Sequence, residues 1–190
     1  MELMSDIVQT GNNVLREIAK EIPVKDIKSA KTKELIGKML ESLAQTKDGV
    51  ALAAPQIGVP LSVFIVLKEY IDYKPGKETP DESDSRSGQI NAKKGEKPAK
   101  GKPEIAVFIN PKILKISKKK QRVKEGCLSV SGIFGLTERA DKVTLEAYDE
   151  NGEKFTRGAS GLLAQIFQHE MDHLNGILFT DSATNLEKIK

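Results

Sequence analysis

Ser160-Gly-Leu-Leu-Ala-Gln-Ile-Phe-Gln-His-Glu-Met-Asp-His-Leu-Asn-Gly176 is the stretch on which the reading of this chain turns. Leu162, Leu163, Ile166, Phe167 and Leu174 recur at three- and four-residue spacings, with Ser160 placed to cap and Gly176 placed to stop, so the pattern predicts a helix. Within it His169 and His173 are four apart and lie one above the other on a single face, which is a chelating arrangement. The chain has only these two histidines, and two placed at random would fall four apart about one time in a hundred, before a glutamate is asked for between them. Glu170 lies about 100° round the helix from His169, so it is no in-line ligand and suits the role of a proton carrier beside an open coordination position.

A catalytic site with two imidazoles needs a third protein ligand if one position is to stay open for water. There is no third histidine, and Cys127 is the only cysteine, which also excludes an intramolecular disulfide. A free cysteine is as often a small buried hydrophobe; the histidine pair shifts the reading toward ligation by a thiolate. Cys127 sits in Glu125-Gly126-Cys127-Leu128-Ser129, where Gly126 lets the backbone come close to a metal. A third stretch, Gly49-Val-Ala-Leu-Ala-Ala-Pro-Gln-Ile-Gly58, is uncharged and rich in small residues. Two readings stay open for it. It is a tight loop packed on the core, or a substrate wall in which Gln56 donates an N–H to a developing oxyanion and extended backbone pairs with a peptide.

Outward from these motifs, residues 27–45 place Leu35, Ile36, Met39, Leu40 and Leu43 on one stripe of an amphipathic helix. Residues 61–67, 105–109 and 143–148 are β-branched and apolar and read as strands, and Asp149-Glu-Asn-Gly152 reads as a hairpin turn. The expected architecture is α+β: short, mostly antiparallel strands packed around the C-terminal metal-binding helix, in one domain over residues 1–190. Residues 68–104 hold four of the eight prolines and are dominated by Lys, Glu, Asp, Ser and Gly. They read as a long solvated insert, too poor in apolar side chains to offset the entropy of ordering.

Among 190 residues, 30 Lys+Arg face 27 Asp+Glu, for a formal net charge of +3. The lysines are spread among comparable numbers of acids, so direct nucleic-acid binding gains little. No stretch approaches the roughly 18 apolar residues of a membrane span, and Met1-Glu-Leu-Met-Ser-Asp6 has no basic region leading into an apolar run. A cytoplasmic location follows as the expectation.

Taken together, Gly49–Gln56, Glu125–Ser129 and Gln168-His-Glu-Met-Asp-His173 resemble, in order, the three motifs of the peptide deformylase family, and Gly11–Arg16 resembles its N-terminal turn. The resemblance implies Cys127, His169 and His173 as metal ligands, Glu170 as the group that moves the proton, and Gln56 with the Leu128 backbone N–H as oxyanion donors. It implies removal of the formyl group from the formyl-methionine end of a new polypeptide, with iron(II) as native metal and zinc, nickel or cobalt able to replace it. Ligand chemistry alone favours zinc. Val50, Leu128, Ile166 and Phe167 are candidate walls of the methionine pocket, with Ala51, Glu125 and Gly126 near the substrate backbone. Arg139 is a candidate partner for Glu125. A transient ribosome contact is in keeping with such a substrate, although docking through a long C-terminal helix is not expected.

Three positions depart from the family pattern. Ala51 replaces the usual second glycine, where a methyl would crowd substrate or forbid a positive φ. Ser131 and Asn13 stand where prolines are usual, so two turns lose rigidity. His-Glu-x-x-His is shared with zinc peptidases, and Cys127 is the residue that separates the two readings. A formyl-peptide-binding homologue with weakened turnover is the other alternative, and Ala51 is what supports it.

Overall fold

The computed structural model describes residues 7–71 and 103–188. Ser29 caps the first long helix, α1 (Ala30–Ala44), by accepting from the Thr32 N–H at 3.2 Å, and Leu35, Met39 and Leu43 of its predicted stripe are buried. β1 (Ala51–Ala53) leads into the short 3-10 helix Ala54–Ile57, and Gly58 ends that turn in the left-handed conformation. β2 (Val63–Leu67) then pairs with β1 inside the first sheet, buried over Val63–Val66.

That sheet has the order β1-β2-β3-β6-β7, with β3 (Ile105–Ile116), β6 (Lys142–Tyr148) and β7 (Lys154–Ser160), all neighbours antiparallel. The 149–152 turn joins β6 to β7 as expected, with Gly152 at φ 77°. A second sheet, β4-β5-β8, is built from β4 (Lys120–Cys127), β5 (Val130–Ala140) and β8 (Thr184–Lys188), again antiparallel. The α+β architecture with antiparallel strands is therefore as the sequence implied, although β3 and β5, at 12 and 11 residues, are far from short. The insert is partly corrected: Lys68–Ile71 forms a one-turn helix, α2, because Ile71 is buried in the core and its carbonyl accepts from Arg157. Residues 72–102 of the insert lie outside the described residues.

The C-terminal helix α3 (Gly161–Leu174) packs against β1, β5, β6 and β7. Phe167 anchors it, in a ring cluster with Phe64 at 6.0 Å and Phe108 at 5.0 Å. At 100° per residue His169 points some 200° away from Phe167, toward the end of β4. Ser160 occupies the N-cap position but makes no side-chain cap bond, so that part of the expectation is corrected. The C-terminus closes firmly: Gly176 N–H bonds the His173 carbonyl at 3.2 Å and Ile177 N–H bonds that of Asp172 at 2.9 Å, the paired bonds of a Schellman motif. Gly176 is required twice, by φ 71° and by the Arg16 carbonyl, which an added Cβ would meet at 2.6 Å.

Candidate metal centre

Cys127 is the last residue of β4, and a two-residue turn, Leu128-Ser129, brings the chain back as β5. Its sulfur lies 3.2 Å from Nε2 of His173. One ligand atom from each of Cys127, His169 and His173 falls within 4.8 Å of the others, a set that could hold a metal ion. The structure thus brings together three residues that the sequence separates by up to 46 positions.

His169 is held from behind. Its Nδ1 is 3.3 Å from Oε2 of Glu125, and Arg139 donates Nε and Nη2 to the two Glu125 oxygens at 2.7 and 2.8 Å. The third Arg139 nitrogen, Nη1, reaches Asp172 at 2.6 Å. This forked, two-bond pairing fixes geometry as well as charge. The candidate Glu125–Arg139 pair is thus present, and Asp172 extends it. Burial would raise the Glu125 carboxyl, but its bonds to Arg139 and His169 bring it down to about 2.

The two imidazoles feel opposite fields. Burial alone lowers His169, yet hydrogen bonds to Cys127 and Glu125 outweigh it and hold the ring well above its usual range. Burial lowers His173, and repulsion from His169 and Arg139 lowers it further. A ligating imidazole must be neutral, so His173 is ready to ligate as it stands, while His169 must give up its proton to an incoming cation. Among the described residues, Nδ1 of His173 and Oε2 of Glu170 are buried without a hydrogen-bond partner. Burial pushes Glu170 up to about 7, with Glu125 and Asp172 adding to the rise and His169 opposing it. A carboxyl poised near neutrality can both take and return a proton.

Gln56 is 2% exposed and its amide is oriented by Ala53, whose N–H donates to Oε1 at 2.8 Å. That leaves Nε2 facing the Ser129 hydroxyl at 3.3 Å and the Cys127 sulfur at 3.6 Å. Residues 51–56 are buried as a packed loop would be, and Gln56 also borders the cleft beside Cys127.

A cleft of about 530 Å³ opens onto Cys127, His169 and Glu170. Val50, Ala51, Leu128 and Ile166 line it, as do Glu125 and Gly126. Phe167 does not line it and is corrected to a core residue: it is fully buried in the ring cluster because its face of α3 points to the sheet. The space that Gly126 frees is filled by the Phe134 ring, 2.6 Å from an added Cβ, and not by a metal approach. Ile133, Phe134 and Leu162 are cleft walls that the sequence reading missed. Ala51 pairs with Val66 in β1, and the only non-glycine residues with positive φ among those described are Asn110 and Asn185. No left-handed conformation is asked of Ala51.

Two imidazoles, a cysteine sulfur and a buried carboxyl on an apolar-walled cleft are equipment for hydrolysis assisted by a divalent ion, and the class that fold and site define is the metal-dependent hydrolases. Within that class the chain belongs to the polypeptide deformylase family, whose model matches residues 4–189. Peptide deformylase 2 of Clostridium acetobutylicum is 35% identical over 177 residues, covering 93% of each chain. The chloroplastic peptide deformylase 1A of Solanum lycopersicum is 37% identical over 182 residues, and this chain spans 60% of its length. Among solved structures, the Met-Ala-Ser-bound class I type b peptide deformylase of Acinetobacter baumannii superposes with a TM-score of 0.72 at 28% identity, covering 96% of this chain and 99% of that one.

Proposed function

We propose that this protein removes the N-formyl group from the formyl-methionine end of newly made polypeptides and releases formate. The observation that carries the reading is the convergence of Cys127, His169 and His173, within 4.8 Å, on a cleft that Glu170 also lines. These three residues would hold one divalent ion, iron(II) natively, with zinc, nickel or cobalt as alternatives. When bound, such an ion supplies Lewis acidity that activates water and polarises a carbonyl. Glu170 takes a proton from the attacking water, whose oxygen bonds to the formyl carbon. The Gln56 side chain and the Leu128 N–H hold the developing oxyanion. The C–N bond then breaks, Glu170 returns the proton to the amine, and formate and a free N-terminus leave. Val50, Leu128 and Ile166 receive the methionine side chain, with Ala51, Glu125 and Gly126 along the substrate backbone.

The Met-Ala-Ser held by the Acinetobacter relative supports a peptide beginning with methionine as the occupant of the cleft. Action on nascent chains fits a cytoplasmic enzyme with a transient ribosome contact and no direct nucleic-acid or membrane partner. Among the described residues no helix is long and apolar enough to cross a membrane. Cysteine as third donor favours this reading over a zinc peptidase, and the ordinary backbone of Ala51 favours it over a homologue that binds without turnover.

The test is formate release from formyl-Met-Ala-Ser by protein prepared without oxygen and loaded separately with iron(II), nickel or zinc, beside Glu170→Gln. Turnover should fall by about 10³-fold in Glu170→Gln, the range for a lost acid–base group, with metal content unchanged. An active Glu170→Gln protein, or a wild-type protein that releases no formate with any metal, would overturn the proposal.

A further inference from the structure

The Leu128-Ser129 turn carries one of the oxyanion donors proposed above; its side chains pack inward, Leu128 against the core and Ser129 fully buried, while its backbone is tied from outside. Beyond Cys127 and Val130 the β4–β5 register breaks, and residues 131–133 form no pair with β4. What ties the backbone of this turn is the segment 7–10, more than a hundred residues away in sequence. Val8 N–H bonds the Gln56 carbonyl and Thr10 N–H bonds the Ser129 carbonyl, both at 2.8 Å. Between them the Gln9 side chain uses both ends of its amide. Nε2 donates to the Leu128 carbonyl at 3.0 Å and to that of Ile7 at 3.3 Å, while Oε1 accepts from the Ser131 hydroxyl at 2.8 Å and the Ser131 N–H at 3.4 Å.

One surface glutamine thus spans the turn from Leu128 to Ser131, in an irregular segment whose neighbouring backbone bonds both Gln56 and Ser129. We propose that Gln9 is a positioning residue for the oxyanion site, fixing the turn that presents Leu128 in register with Gln56. The assignment rests on the deformylase reading for its chemistry, but not for its geometry. Serine at 131 supplies two donors here, where a proline would supply none, so the bulge of β5 draws its order from Gln9 and not from a fixed φ. Each bond is of the kind that contributes modestly to stability. A small displacement of a transition-state donor, in contrast, costs rate steeply.

The experiment compares metal-loaded wild type with Gln9→Met, which keeps side-chain volume and loses every bond, and Gln9→Glu, which keeps the acceptor to Ser131 and loses the donor to Leu128. We expect kcat for formyl-Met-Ala-Ser to fall about tenfold in Gln9→Met and less in Gln9→Glu, with KM and metal content within twofold of wild type. Amide hydrogen exchange over residues 127–133 should quicken in Gln9→Met and stay unchanged in α3. A Gln9→Met protein with wild-type kcat and wild-type exchange would overturn the proposal, and so would a rise in KM at constant kcat, which marks a binding role. Should wild type itself release no formate, the function proposed above fails, while the exchange comparison still judges whether Gln9 fixes the turn: unchanged exchange refutes it.

Discussion

The two walls of the cleft are held by different means. The α3 wall is fixed by burial: Phe167 sits in the ring cluster, and Gln168 clamps both the N–H and the carbonyl of Ala140 at 2.9 and 3.0 Å. Behind His169, Arg139 and Glu125 form an ion pair whose side chains are 9% and 2% exposed. The β4–β5 wall ends in a two-residue turn whose backbone is tied down by hydrogen bonds from the irregular segment 7–10, where Gln9 and Thr10 are exposed. Buried charge is stiff and expensive to disturb, whereas surface hydrogen bonds are cheap to lose. Stability should therefore concentrate on the ligand side, and rate without stability on the oxyanion side.

The sharpest way to break this contrast is Arg139→Leu. It leaves Glu125 and Asp172 without their shared cation, and removing one partner of a buried pair costs about 3–5 kcal/mol. Denaturant melts should show that loss, together with weaker metal retention as His169 loses its fixed support, while Gln9→Met should cost under about 1 kcal/mol. Equal destabilisation by the two variants would erase the distinction between the walls.

A gentler probe of the same side is acid. The Glu125 carboxyl is lowered to about 2 in the folded protein from an ordinary 4.5, so its contribution to stability is complete above that ordinary value and drains away as pH falls from about 4.5 toward 2. At about 1.4 kcal/mol per unit the contribution is roughly 3 kcal/mol. Melts of wild type should lose stability across that window, and Glu125→Gln should flatten the slope there. An unchanged slope would show that Glu125 is not the group that responds.

The same contrast explains what was legible in the sequence. The α3 wall is written locally: a 3.6-residue stripe, a terminal glycine, and a chelating pair whose chemistry is carried by residue type. Phe167 went astray because periodicity places it on an apolar face without saying whether that face meets core or cleft. The β4–β5 wall is written in partners. β4 reads Lys-Gln-Arg-Val-Lys-Glu-Gly-Cys, with only Glu125 buried, and β8 is exposed throughout. No alternation marks either as a strand, and their pairing with β5 supplies what propensity does not. Gln9 left no signal at all, since its partners Leu128 and Ser131 lie 119 and 122 residues away.

The smallest expected effect falls where the walls meet, at Ala51. The sequence made this residue suspect on two counts, a forbidden φ and a crowded substrate. The structure removes the first: Ala51 is an ordinary strand residue paired with Val66 and 6% exposed. Ala51→Gly therefore relieves no backbone strain and adds the entropic penalty of glycine in a strand, about 0.5–1 kcal/mol. Melts should show that loss, while kcat/KM for formyl-Met-Ala-Ser stays within about threefold of wild type. A rise of tenfold or more would mean that the Ala51 methyl narrows the substrate path. The cleft would then be limited at β1, and neither the ligand wall nor the oxyanion wall would set its rate.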